Sequence, residues 1–167
     1  MALSTYRASV AVAKRALGSL IAIIDKAEAH AVNRKIEPAA LLHARLAPDM
    51  FHFVRQVQAV TDQSRSLARL AGIEPPKLEN TETSFSDLKA RIAKTLEFLD
   101  TLKRETVDEA ADKTLSVPLG GQVMQINGAD YLFNFVMPNL YFHATTAYDI
   151  LRHNGVEVGK RDFLGIR

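Results

Sequence analysis

The chain contains no cysteine among its 167 residues. That excludes a disulfide framework, a thiolate metal site and a cysteine nucleophile. It agrees with a reducing compartment, and a cytoplasmic protein is expected. Glycine (8) and proline (6) are scarce, which excludes a low-complexity linker or a collagen-like repeat. No uninterrupted apolar run approaches the ~18 residues a membrane span needs. The first twenty residues carry Arg7, Lys14 and Arg15 within their apolar pattern, so no signal peptide is read there. Charge of one sign is also lacking. Lys and Arg total 21 against 19 Asp and Glu, and the signs are interspersed. The most basic stretch, residues 152–167, nets only +2. A nucleic-acid interface needs a basic stripe that neutralises several phosphates, so neither nucleic acid nor membrane is expected as a partner.

What is present is ordinary for a globular domain: 47% hydrophobic and 24% charged residues in 18.5 kDa. The length fits one domain over residues 1–167. Four long helical patterns stand out. The first runs from about Ser4 to His30, with Tyr6, Val10, Ala13, Leu17, Leu20, Ile21 and Ile24 on one stripe. A linker from Asn33 to Ala47 carries a short turn opened by Pro38 and bearing Leu41, Leu42 and Leu46. Pro48 and Asp49 are read as the start of the second helix, with Met50, Phe53, Val54, Val57, Val60, Leu67 and Leu70 buried. Gly72 stops it, and Pro75-Pro76 forbid continuation. The third begins at Ser84, whose spacing to Asp87 suits a capping box. It buries Phe85, Leu88, Ile92, Leu96, Leu99 and Leu102.

Residues 114–127 alternate on either side of Gly120-Gly121 and read as a β-hairpin, with Pro118 confining its strand to an edge. A lone hairpin is marginal, so it must pack on the helices. The fourth helix runs from about Ala129 to Asn154. Pro138 is expected to kink or restart it, with Asn139 capping the second segment. Gly155 ends it. A short tail offers Val156, Val158, Phe163 and Leu164 for docking. The fold class is therefore all-α: a four-helix bundle with a small β-hairpin between helices three and four.

Bundle sites are built from side chains on facing helices. Asp49, His52 and Gln56 follow one another at one-turn spacing near the start of helix two. His143 lies midway along helix four. Asp49, His52 and His143 could together hold zinc, nickel or iron, since imidazole and carboxylate suit those ions. Neither helix carries the paired His-x-x-x-His that marks a helical metal site strongly. A second set, Gln56, Tyr141, His143, Thr146 and Tyr148, could line a small-molecule pocket. Simple capping and back-bonding by Asn139 and the threonines would explain the same polarity. Gly159-Lys160 lacks the flanking residues of a phosphate loop. Asp162-Phe163-Leu164-Gly165 resembles a kinase triplet only superficially.

The fourth-helix segment Pro138-Asn-Leu-Tyr-Phe-His143-Ala-Thr-Thr-Ala-Tyr148 is followed by Ile150-Leu-Arg-His-Asn-Gly155 and Gly159-Lys-Arg-Asp-Phe-Leu-Gly165. With Leu46-Ala-Pro-Asp-Met50, Gln56-Val57 and Leu67-Ala-Arg-Leu-Ala-Gly72, this pattern closely resembles a bacterial family of unknown function. That family resembles a branch of the DinB/YfiT-like superfamily. The resemblance implies a four-helix bundle of unusual topology, often homodimeric. Active members are metal-dependent hydrolases, or transferases using a small thiol. It also implies a metal set of three histidines, one on helix two and a His-x-x-x-His pair on helix four. Here His143 matches the first of the pair, but Ala147 stands at the second, and His52 or Gln56 stands on helix two. The expectation is a homodimer without the usual metal site, acting as a small-molecule-binding or stress-related protein. The alternative is a metal-dependent hydrolase or thiol transferase using Asp49, His52 and His143, with a divalent metal such as zinc or nickel.

Overall fold

The apolar stripe along residues 10–31 winds into a helix of 25 residues in the computed structural model, which describes residues 4–166. Met1–Leu3 and Arg167, the last charge of the basic tail, lie outside the described residues. The helix is preceded by a single turn, α1 (Thr5–Ala8), capped by Ser4 Oγ, which accepts the Arg7 N–H. Ser9 departs from helical geometry and returns its hydroxyl to the Thr5 carbonyl at 2.6 Å. The long helix, α2 (Val10–Arg34), continues past His30, where sequence reading places its end. It stops at Lys35, a non-glycine residue held at φ 54°.

Pro38 opens α3 (Pro38–Leu42), which buries Leu41 and Leu42. The second long helix does not begin at Pro48-Asp49. Those residues form an exposed turn closed by the Met50 N–H on the Ala47 carbonyl at 3.0 Å. The helix α4 (Phe53–Ser66) starts four residues later, with the His52 side chain as its cap. Proline suited to a first helical position equally suits a tight turn, and the tertiary bond from Phe53 N–H to the Ala44 carbonyl (2.9 Å) selects the turn. A tighter 3₁₀ segment (Leu67–Ala71) then ends at Gly72, in the left-handed region at φ 70°.

Ser84 caps α5 (Phe85–Asp100) by accepting the Asp87 N–H at 3.0 Å. The Asp87 carboxylate takes the N–H of Thr83 at 3.0 Å, the stronger of its backbone contacts, with Ser84 beside it. A short α6 (Arg104–Asp108) follows. Strands β1 (Thr114–Leu119) and β2 (Gln122–Asn127) pair antiparallel, from Thr114 opposite Asn127 to Leu119 opposite Gln122. Both turn glycines have positive φ. Asn127 Oδ1 caps the next turn, α7 (Gly128–Tyr131). Here a side chain is forbidden: a Cβ on residue 128 would lie 2.0 Å from the Ala110 carbonyl oxygen.

Pro138 does not restart the last long helix at Asn139. The ladder instead widens into a π segment (Leu132–Val136), and α8 (Met137–His153) carries proline in its first turn. A widened ladder relieves the clash of the ring with the preceding turn. Asn139 is not a cap. Its side-chain amide donates to the Phe135 carbonyl at 2.7 Å. After Gly155 the chain buries Val156 and Val158 and forms α9 (Lys160–Leu164) against α2.

α4 lies between α5 and α8, and α2 packs across α5 and both of the others. One core runs through all four long helices, with Leu17, Phe53, Ile92, Leu140 and Ala147 fully buried. Burying a side chain such as Phe53 contributes about 1.5–3 kcal/mol each.

Candidate functional site

The packing of α4 against α8 brings Gln56 to His143, 87 residues away in the chain. Gln56 Oε1 stands 2.7 Å from His143 Nδ1. The other end of the amide is committed: Gln56 Nε2 donates to the Phe51 carbonyl at 3.1 Å. Oε1 is therefore the acceptor, and the proton lies on Nδ1 of His143. Nε2 is left as the lone-pair nitrogen, with no hydrogen-bond partner among the described residues and not enclosed. Burial lowers the pKa of His143, the charge of Arg55 lowers it further, and Asp62 opposes them. The ring is held neutral, so Nε2 can accept a hydrogen bond or a proton.

Two exposed aromatic rings flank it. Phe51 stacks on the imidazole with centroids 6.3 Å apart, and Phe142 meets it edge-on at 5.3 Å. Arg55 lies over the far ring, 5.2 Å from the Phe51 centroid. The result is a part-buried imidazole with an acceptor nitrogen, flanked by two aromatic rings, with one cation nearby. Phe51, Arg55 and Phe142 are absent from the sequence-derived candidates. The signal was there: Phe51 and Arg55 are four apart at a helix start.

The remaining candidates lie elsewhere. His52 is spent as a cap, its Nδ1 accepting the Arg55 N–H at 3.3 Å, and its ring meets His43 edge-on at 5.3 Å. Burial lowers its pKa, helped by Arg45, His43 and Arg55. Asp49 sits in the exposed turn before the helix. Among the described residues no three His, Asp or Glu side chains form a group that could hold a metal ion, so Asp49, His52 and His143 are not so gathered. Of the two residues the resemblance offers for the helix-two position, His52 is engaged as a cap and the Gln56 oxygen is engaged with His143. This donor set does not fit the three-histidine site.

Thr146 is buried and returns its hydroxyl to the Phe142 carbonyl at 2.8 Å. Tyr141 lies about 200° around α8 from His143. It lines a cavity against α2 and α9. Tyr148 packs edge-on against Phe163, centroids 6.0 Å apart. The five pocket candidates thus divide between two flanks of α8.

Next to the site lies a charged cluster that the stripes did not predict. Arg91, its side chain 1% exposed, pairs with Asp62 at 2.7 Å and Glu82 at 2.9 Å. It also donates to the Glu79 carbonyl and to Thr61 Oγ1. Arg65 donates to Asp62 and to the Pro76 carbonyl, and Gln58 to Glu82 at 2.7 Å. Burial alone would raise the Glu82 carboxyl, but hydrogen bonds from Arg91 and Gln58 outweigh it and hold the pKa below its ordinary value. The cluster clamps the irregular segment 73–83 onto α4 and α5.

Comparison with known proteins bears on the whole chain. A crystal structure described as that of a DinB family member protein from Shewanella denitrificans superposes with a TM-score of 0.90 at 42% identity, covering 97% of this chain and 92% of that one. No curated protein is significantly similar to this chain. The profile of a domain of unknown function, DUF1993, matches residues 5–164, and the chain belongs to that family.

Proposed function

We propose that this chain is a DinB-like four-helix bundle that has exchanged the superfamily's metal site for a neutral Gln56–His143 pair, and that it binds a small molecule there as a cytoplasmic homodimer. The observation that carries this reading is the 2.7 Å contact between Gln56 Oε1 and His143 Nδ1. A carboxamide oxygen is a weak, neutral ligand for zinc or nickel, which prefer imidazole, thiolate and carboxylate. The same contact turns Nε2 outward as an acceptor. A planar ligand with an N–H or O–H donor would hydrogen-bond to Nε2 and pack on Phe51 and Phe142. Phe133 is an exposed apolar ring on the same helical stretch, available to a second copy of the chain.

The test is elemental analysis of untagged protein and of His143→Ala, with sedimentation equilibrium on the same samples. The expected result is no stoichiometric metal, even after incubation with zinc, nickel or manganese, and a mass of two chains. Near-stoichiometric metal that disappears in His143→Ala would overturn the metal-free reading in favour of the metal-dependent one, which hydrolase and thiol-transfer assays would then test. A monomer at all concentrations would remove the homodimer.

A further inference from the structure

On the flank of α8 away from His143, an apolar cavity of about 120 Å³ lies between α2, α8 and α9. Its walls include Val12, Ala16, Leu20, Ala144 and Phe163. A space of this order takes one small apolar body; a cavity of about 150 Å³ in another protein takes benzene. A second, more polar cleft of about 270 Å³ lies against it, beneath Asp162 and Gly165. Arg15 and Ser19, one turn apart on α2, line both.

Neither residue is satisfied among the described residues. Ser19 is 6% exposed and its Oγ is buried without a hydrogen bond. A helical serine ordinarily returns its hydroxyl to the carbonyl one turn back, as Ser64 does to Val60 at 2.8 Å. Ser19 does not. Arg15 has no hydrogen bond or ion pair among the described residues. Nearby acids are already taken: Asp162 pairs with Lys26 at 2.7 Å and accepts the Gly159 N–H, and Asp100 pairs with Lys14. The chain passes over Ser19 at Gly165, where a Cβ would come 2.8 Å from Oγ, yet no acceptor among the described residues reaches it. Tyr141, on the cavity rim, likewise has no hydrogen-bond partner among the described residues.

An orphan buried donor and an unpaired guanidinium at the mouth of an apolar cavity complement one ligand chemistry. We infer that this is a binding site for a monocarboxylate with a compact apolar body, about the size of benzoate. The body fills the cavity, and the carboxylate sits at the junction of cavity and cleft. It accepts hydrogen bonds from the Arg15 guanidinium, whose fork of N–H donors matches two carboxylate oxygens, and from Ser19 Oγ. The site shares no residue with the Gln56–His143 pair.

The experiment is calorimetric titration of the full chain with benzoate, repeated with neutral benzamide and with three variants. Arg15→Gln is exposed and keeps its stem, so folding is preserved. Ala144→Leu fills the cavity. His143→Ala alters the other site. The expected result is saturable benzoate binding, at least about tenfold weaker binding of benzamide, and a comparable loss in Arg15→Gln. Ala144→Leu should abolish binding with its circular dichroism unchanged, and His143→Ala should bind as the parent does. No binding at about 10 mM benzoate, where even a millimolar site would saturate, would overturn the inference. So would equal binding by Arg15→Gln, or loss of binding only in His143→Ala. The last result would place the ligand at the Gln56–His143 pair and leave that reading standing.

Discussion

Gln56 holds His143 in one tautomer: its amide nitrogen is committed to the Phe51 carbonyl, so its oxygen accepts the Nδ1 proton across 2.7 Å. The imidazole is thereby aimed outward through Nε2. It is kept neutral by burial and by Arg55.

A pH dependence follows. His143 and His52 both have folded pKa values below the ordinary value of about 6.5. Between the folded and unfolded values the unfolded chain binds more protons, so stability rises with pH. The contribution is complete above about pH 6.5 and is lost as pH falls through the lowered values. Urea midpoints from about pH 7 down to 5 should fall, and the fall should be smaller in His143→Ala. A ring-proton NMR titration giving His143 a value above 6.5 would contradict the neutral-acceptor reading.

Gln56→Ala removes the amide that orders the ring. Gln56 is 1% exposed, so the Phe51 carbonyl and the Nδ1 proton lose a partner in a poorly hydrated place. The expected cost is about 1–3 kcal/mol in urea unfolding. Nitrogen chemical shifts of His143 should move from a single tautomer to a mixture. A stability loss with the tautomer unchanged would show that the amide only fills space.

Arg91→Met should be the most damaging single change in the charged cluster. It leaves Glu82 and the Glu79 carbonyl without their guanidinium. Breaking a buried pair from one side costs about 3–5 kcal/mol. Because the same side chain clamps residues 73–83, trypsin should cut after Lys77 faster in the variant than in the parent under native conditions.

Two backbone positions should respond in opposite directions. Gly128→Ala drives a methyl group onto the Ala110 carbonyl and should cost about 1–3 kcal/mol, read as a lowered Tm. Lys35→Gly relieves a left-handed conformation at φ 54° and should stabilise by about 1 kcal/mol. A loss of stability in Lys35→Gly would show that the lysine side chain contributes more than its backbone costs.

Periodicity located each long helix because apolar spacing is a local property. Ser84, Gly72 and Gly155 were legible as boundaries for the same reason: capping and left-handed geometry involve a few neighbouring residues. Pro48-Asp49 misled because a proline-led turn and a proline-led helix start share local chemistry, and a bond from Phe53 to Ala44 decides between them. Asn139 misled because the π segment that accommodates Pro138 keeps the helix continuous, leaving no terminus to cap. Arg91 stood beside Leu88 and Ile92 on the buried stripe and was passed over. A charge on such a face is explained only by partners that lie on other elements.

By itself the amino-acid order determined the helical class, the turn glycines, the absence of thiol chemistry and the candidacy of Gln56 and His143. These follow from side-chain volume, polarity and backbone preference acting over a turn or two. Only the tertiary structure decided that Gln56 meets His143 while Asp49 and His52 do not. It alone opened a cavity beside Tyr141 and set Tyr148 against Phe163, and it alone left Ser19 without a partner among the described residues. Such meetings depend on how helices are rotated and aligned against each other, and that is set by packing the whole core at once.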